Sequence, residues 1–129
     1  MGQRIVHRHR IIYVTTKDRN AALTIGRFLV QQRLVASVNV VSAMTAIYWW
    51  EGRLREGEEA LMIAKTREAL VDRVVQAIQE QHDFETPCIV VVPIVGGLSA
   101  YLDWVTEQTS DPRQSVHSSP DASDVIFEA

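Results

Sequence analysis

The sequence predicts an α/β sandwich of order β-α-β-β-α-β-α, and three observations predict it. Short strand-like runs recur along the 129 residues, at "RIIYVTT" (10–16), "EALMIAKT" (59–66) and "PCIVVVP" (87–93). Helical apolar spacing fills the gaps on either side of the middle pair. A long Val- and aromatic-rich run without Gly or Pro, "VASVNVVSAMTAIYWW" (35–50), pairs with "EALMIAKT" as a hairpin. Two βα crossovers flanking a hairpin make the split βαβ, ferredoxin-like layout, with both long helices on one face of the sheet.

Taken in order, "RIIYVTT" lacks polar alternation and suits a strand covered on both faces. Thr16 or Asp18 can cap the first helix. Ala22, Ile25 and Leu29 recur along it at helical spacing, and it should stop near Arg33. The long strand follows, and Gly52 and Gly57 make "EGRLREGEE" (51–59) a turn-rich connection to the next. Thr66 can cap the second helix, with Glu68 in its first turn and Leu70, Val71, Val74 and Ile78 as its stripe. That helix ends near Gln81 or His82, ahead of the apolar strand 87–93. Gly96 and Gly97 open a loop. Leu98, Tyr101, Leu102 and Val105 then predict a last helix to about Thr109.

The organisation is a basic arm over 1–10, one domain over 11–109 and a tail over 110–129. The tail's "SDPRQSVHSSPDASD" holds too few apolar residues to offset ordering, so it is expected to be flexible, and "VIFEA" after it to be a frayed end. Hydrophobic residues make up 47%, enough for one core, and net charge is −3 with both signs interspersed. That balance excludes a general nucleic-acid field, and the local "RIVHRHR" (4–10) is too small to restore one. The longest apolar run, "IVVVPIV", is too short to span a bilayer. No signal peptide is expected, and the single cysteine, Cys88, fits a reducing cytoplasm. Cys88 should be buried as a small hydrophobe.

The hairpin strands exceed the usual length of about five or six residues. Trp49 and Trp50 must point to opposite faces, while helices cover only one. One large ring therefore needs another partner, and the long arms leave edge groups unpaired. Pairing with a neighbouring subunit answers both needs.

Four groups of residues invite a functional reading. His82, Asp83 and Glu85 put an imidazole and two carboxylates at the end of the second helix. Imidazole is a good copper or zinc ligand, though three or four convergent ligands are usual. Alternatively, His82 caps the last helical carbonyls. Lys65 and Glu85 are expected to form an ion pair between strand ends, or to line a polar pocket walled by Tyr48 and Trp50 with Arg33 contributing. Tyr48, Trp49 and Trp50 suit an interface core. His7 and His9 share a strand face and can chelate a metal adventitiously. There is no G-x-S-x-G, no phosphate-binding glycine loop and no HExxH, so no enzyme is expected.

The chain also resembles the CutA divalent-cation-tolerance proteins. "VTTKDRNAALTIGRFLVQQRLVASVNV" (14–40), "IYWWEGRL" (47–54), "EALMIAKT" (59–66), "HDFETPCIVVVPI" (82–94) and "YLDWV" (101–105) follow that family's order and spacing through residues 11–109. The Tyr48-x-Trp50-x-Gly52 turn, the Lys65-Thr66 pair and the His-x-aromatic-x-x-Pro element together carry the resemblance. It implies a ferredoxin-like protomer in a tight homotrimer of PII-like architecture, with the long hairpins joining neighbouring sheets. It also implies a role in tolerance to divalent cations, especially copper, and no enzymatic reaction. Ser37 stands where relatives often carry a cysteine, and "IIYVTT" lacks one too, so a thiolate copper site at either place is not implied. Asp83 and Phe84 replace the family's proline and tyrosine.

The expectation is a cytoplasmic trimer that binds a divalent metal ion, Cu2+ favoured, through His82, Asp83 and Glu85. The alternatives are a PII-like trimer sensing a small anionic ligand through Lys65 and Arg33, and a trimeric scaffold whose tail recruits a partner.

Overall fold

The computed structural model describes residues 7–110. The arm before residue 7 and the tail from residue 111, including "VIFEA", lie outside the described residues. Within them the order is β1 (His9–Thr16), α1 (Arg19–Gln31), β2 (Ser37–Trp50), β3 (Arg53–Arg67), α2 (Val71–Gln81), β4 (Ile89–Pro93) and α3 (Ser99–Gln108). His9, assigned above to the arm, already belongs to β1.

The strands form one antiparallel sheet in the order β2-β3-β1-β4. Because β3 lies between β1 and β2, those two run in the same direction, as a split βαβ unit demands. Alternate residues Ile12 and Val14 of β1 and Met62 and Ala64 of β3 face α1 and α2, which present Ala22, Ile25, Leu29, Val74 and Ile78. This is the core, and both long helices share that one face. Gly26 lets α1 sit close on β2, since a Cβ there would lie 3.0 Å from Val38 Cγ1.

The helix ends follow local chemistry. The Asp18 carboxylate accepts from the Ala21 N–H at 2.8 Å and caps α1. At the other end Leu34 N–H donates to Leu29 O and Arg33 N–H to Val30 O, both at 3.0 Å. That pair of bonds is a Schellman motif, and it puts Arg33 at a left-handed φ of 58°.

Several expectations are corrected. The connection 51–59 is a two-residue turn only. Glu51 and Gly52 both take positive φ, 51° and 75°, and a turn of this kind matches the twist of its strands. Residues 53–58 are strand, so Gly57 marks no loop. Thr66 does not cap α2. It is buried in β3, where its hydroxyl donates to Leu34 O at 2.6 Å, and a 3-10 turn over Glu68–Leu70 leads into α2 instead. β1 is not covered on both faces: Ile11 and Tyr13 are only half-buried on the side away from α1 and α2. α3 crosses one end of that open face, where Tyr101 meets Ser37 and His9 meets Thr106. Of its predicted stripe only Val105 is buried, and Leu98 is 73% exposed.

A bulge between Val41 and Met44 breaks the β2–β3 register. Three steps along β2 match two along β3, with Ala43 at φ 58° absorbing the extra residue. The phase of the strand therefore reverses. Beyond the bulge Met44, Ala46, Tyr48 and Trp50 lie on the open face, and Trp49 lies on the other, 72% exposed.

Candidate functional site

The open face of the hairpin and the loop between α2 and β4 enclose a groove of about 730 Å3. Tyr48 and Trp50 wall it from β2, Tyr13 from β1 and Phe84 from the loop. The bulge puts Tyr48 and Trp50 on this side, and strand pairing puts Arg55 opposite Tyr48 and Glu59 opposite Met44. Asp83, Glu85 and Cys88 border it from the loop.

His82 fixes that loop. Its Nδ1 accepts from the Phe84 N–H at 3.1 Å, so its Nε2 carries the proton and donates to Thr15 O at 2.7 Å. The imidazole and the Phe84 ring also pack with centroids 5.0 Å apart. His82 therefore does not cap helical carbonyls with its side chain. It ties the loop to the end of β1, and both ring nitrogens are engaged. Asp83 pairs with Lys17 at 3.3 Å on the surface.

The sequence-predicted residues divide into two groups. Tyr48, Trp50, Asp83 and Glu85 meet at the groove, with His82 behind the loop. Lys65 and Arg33 lie elsewhere. Lys65 bonds to Asn39 on the open face, and Arg33 donates to Gln108 O and Oε1 at 3.2 and 3.1 Å. The expected Lys65–Glu85 ion pair is absent. Lys65 stands opposite Ile11, four residues along β1 from Thr15, where His82 binds, so the two ends are roughly 13 Å apart. Cys88 is not buried: it precedes β4 and is exposed at the groove. Arg55, Glu59 and Tyr13 were missed as site residues. The Glu51-Gly52 turn sets Arg55 against Tyr48 and was legible as a signal; the bulge that brings Glu59 to the same face was not.

A bare divalent ion asks for three or four donors at about 2 Å. Among the described residues no three His, Cys, Asp or Glu side chains converge that way. The described residues of one chain therefore do not fit a bare ion. What they do form is an aromatic trough with separated carboxylates, and neither Glu59 nor Glu85 is ion-paired among the described residues.

A family profile described as the CutA1 divalent ion tolerance protein matches residues 10–108. The divalent-cation tolerance protein CutA of Thermus thermophilus is 35% identical over 99 residues, 77% of this chain and 96% of its own length. The chloroplastic protein CutA 1 of rice is 33% identical over 101 residues, 78% of this chain. The chain spans only 57% of the length of the rice protein and 54% of its Arabidopsis counterpart. Among solved structures, the periplasmic divalent cation tolerance protein CutA from Archaeoglobus fulgidus superposes with a TM-score of 0.77 at 34% identity, covering 79% of this chain and 99% of that one. CutA1 from Ehrlichia chaffeensis superposes at 0.76 and 27% identity, covering 82% and 99%.

Proposed function

This chain belongs to the CutA1 divalent ion tolerance family, and on that premise we propose that it serves divalent-cation tolerance as a homotrimer that holds copper in the open-face groove and catalyses no reaction. The observation that carries this reading is the groove itself: Asp83, Glu85 and the exposed Cys88 thiol border it, and it lies on the sheet face away from α1 and α2. Carboxylate and thiol donors supply the negative field and the soft ligand that suit copper. A neighbouring chain on the open face would close the groove and bring further donors. His82 holds the loop that carries Glu85, and it joins the metal only by giving up a hydrogen bond.

The proposed compartment is the cytoplasm, in keeping with one free thiol. No helix among the described residues is long and apolar enough to cross a membrane. A small anionic ligand is the second reading, and Arg55 in the groove favours it.

Light scattering and equilibrium dialysis against copper in glycine buffer test the proposal. The expected mass is roughly 44 kDa, three chains of 14.6 kDa. About one copper per chain should be retained, lost in Glu85→Gln and kept in His82→Ala. A monomer, or copper retained equally by the Glu85→Gln variant, overturns it.

A further inference from the structure

We propose that the groove takes its divalent cation as a planar complex already bound by a small organic ligand, and not as a bare ion. This rests on the cation reading of the groove and names what fills it.

Three features of the groove disagree with a bare ion. No three ligating side chains converge among the described residues. His82, the one imidazole beside the groove among the described residues, has both nitrogens engaged. The space, about 730 Å3, is far larger than an ion and falls in the range of small organic ligands, roughly 300–1,000 Å3.

The same features agree with a flat, ligated cation. Cu2+ with nitrogen and oxygen ligands prefers a square-planar or tetragonal shape, so its small complexes are flat. Tyr48, Trp50 and Phe84 line the groove from two different elements. Aromatic faces attract cations, and the effect grows as water is excluded. Glu59 and Glu85 add negative charge that no described ion pair neutralises, against the single positive charge of Arg55 on the same lining. Such a complex brings its own inner ligands. The protein then needs only a stacking surface and outer carboxylates, which is what the chain provides. Binding of this kind breaks no bond and requires no change in the metal's oxidation state.

Calorimetry on the full-length protein separates the readings. The probes are aqueous Cu2+ in a non-coordinating buffer, the one-to-one Cu2+–bipyridine complex, and bipyridine alone. The complex should saturate at one per chain, at least about tenfold tighter than either other probe. Trp50→Leu and, from the opposite element, Phe84→Leu should each weaken it about tenfold, the size of one lost stacking contact, with melting curves confirming that the variants fold. Aqueous Cu2+ binding as tightly as the complex, lost in Glu85→Gln and kept in Trp50→Leu, overturns the inference and leaves copper binding in the groove intact. Bipyridine alone binding as tightly as the complex also overturns it, since the metal would then be irrelevant. Binding of any probe that all these variants retain equally is adventitious, and overturns both.

Discussion

His82 shows how one side chain can look like a ligand and serve as a clasp. Its two nitrogens join the Phe84 amide to the Thr15 carbonyl, so the ring spans the loop before β4 and the end of β1. Removing it leaves a partly buried carbonyl and an amide short of partners. His82→Ala should therefore lower stability by about 1–3 kcal/mol, read as a shift in the urea midpoint at unchanged slope. The Phe84 amide should also exchange faster with solvent. An unchanged midpoint and unchanged exchange would refute the clasp. At this scale the sequence showed which residues were polar near a helix end, and Asp83 and Glu85 do border the groove. It did not show the partners of Lys65 and Arg33. Those partners come from β2 and from α3, distant in sequence, and no local spacing encodes them. Cys88 was misjudged for a related reason. Its apolar neighbours at Ile89 and beyond suggested burial, but Cys88 alternates onto the open face with Val90 and Val92, both exposed, and so stands at the groove edge.

Elements were more legible than contacts, because periodicity is local. The stripes of α1 and α2 are buried where the 3.6-residue spacing put them, with Ala22, Ile25, Leu29, Val74 and Ile78 in the core. The failures were at the junctions. Gly57 read as a turn, yet the Glu51-Gly52 pair already supplied one, and Gly57 pairs with Ala46 within the strand ladder. Thr66 read as a cap, yet its hydroxyl serves the Leu34 carbonyl. Gly26 is the element-scale residue with the clearest test. A Cβ there already meets Val38 at 3.0 Å, so a branched side chain would push α1 off β2. Gly26→Val should cost about 2 kcal/mol, and Val38→Ala should restore part of the loss in the double variant. Strict additivity of the two changes in thermal or denaturant melts would mean that the close approach does not matter.

The whole molecule is one-sided. Two helices cover one face of the sheet, while the other carries Val90, Val92 and Val41 among its exposed residues and only α3 across one end. Apolar surface of that extent on a domain this small marks an interface. Val92→Glu points a charge out of this face without touching the core, since its Cα partner is the open-face residue Ile11. The variant should keep its circular dichroism spectrum and lose the proposed trimer, with the light-scattering mass falling toward that of one chain. A persistent trimer would place the interface elsewhere.

By itself the sequence determined the kind and order of the elements, because these rest on patterns that repeat over a few residues, and the family, which shows in the order and spacing of motifs along residues 10–108. Only the tertiary structure decided which face Tyr48 and Trp50 share and that Asp83, Glu85 and Cys88 border the same groove. It also placed Lys65 and Arg33 outside that groove. The physical reason is the bulge at Ala43 together with the sheet order. One extra residue reverses the phase of a strand at no visible cost to its pattern, and pairing β1 between β3 and β4 sets which distant ends meet.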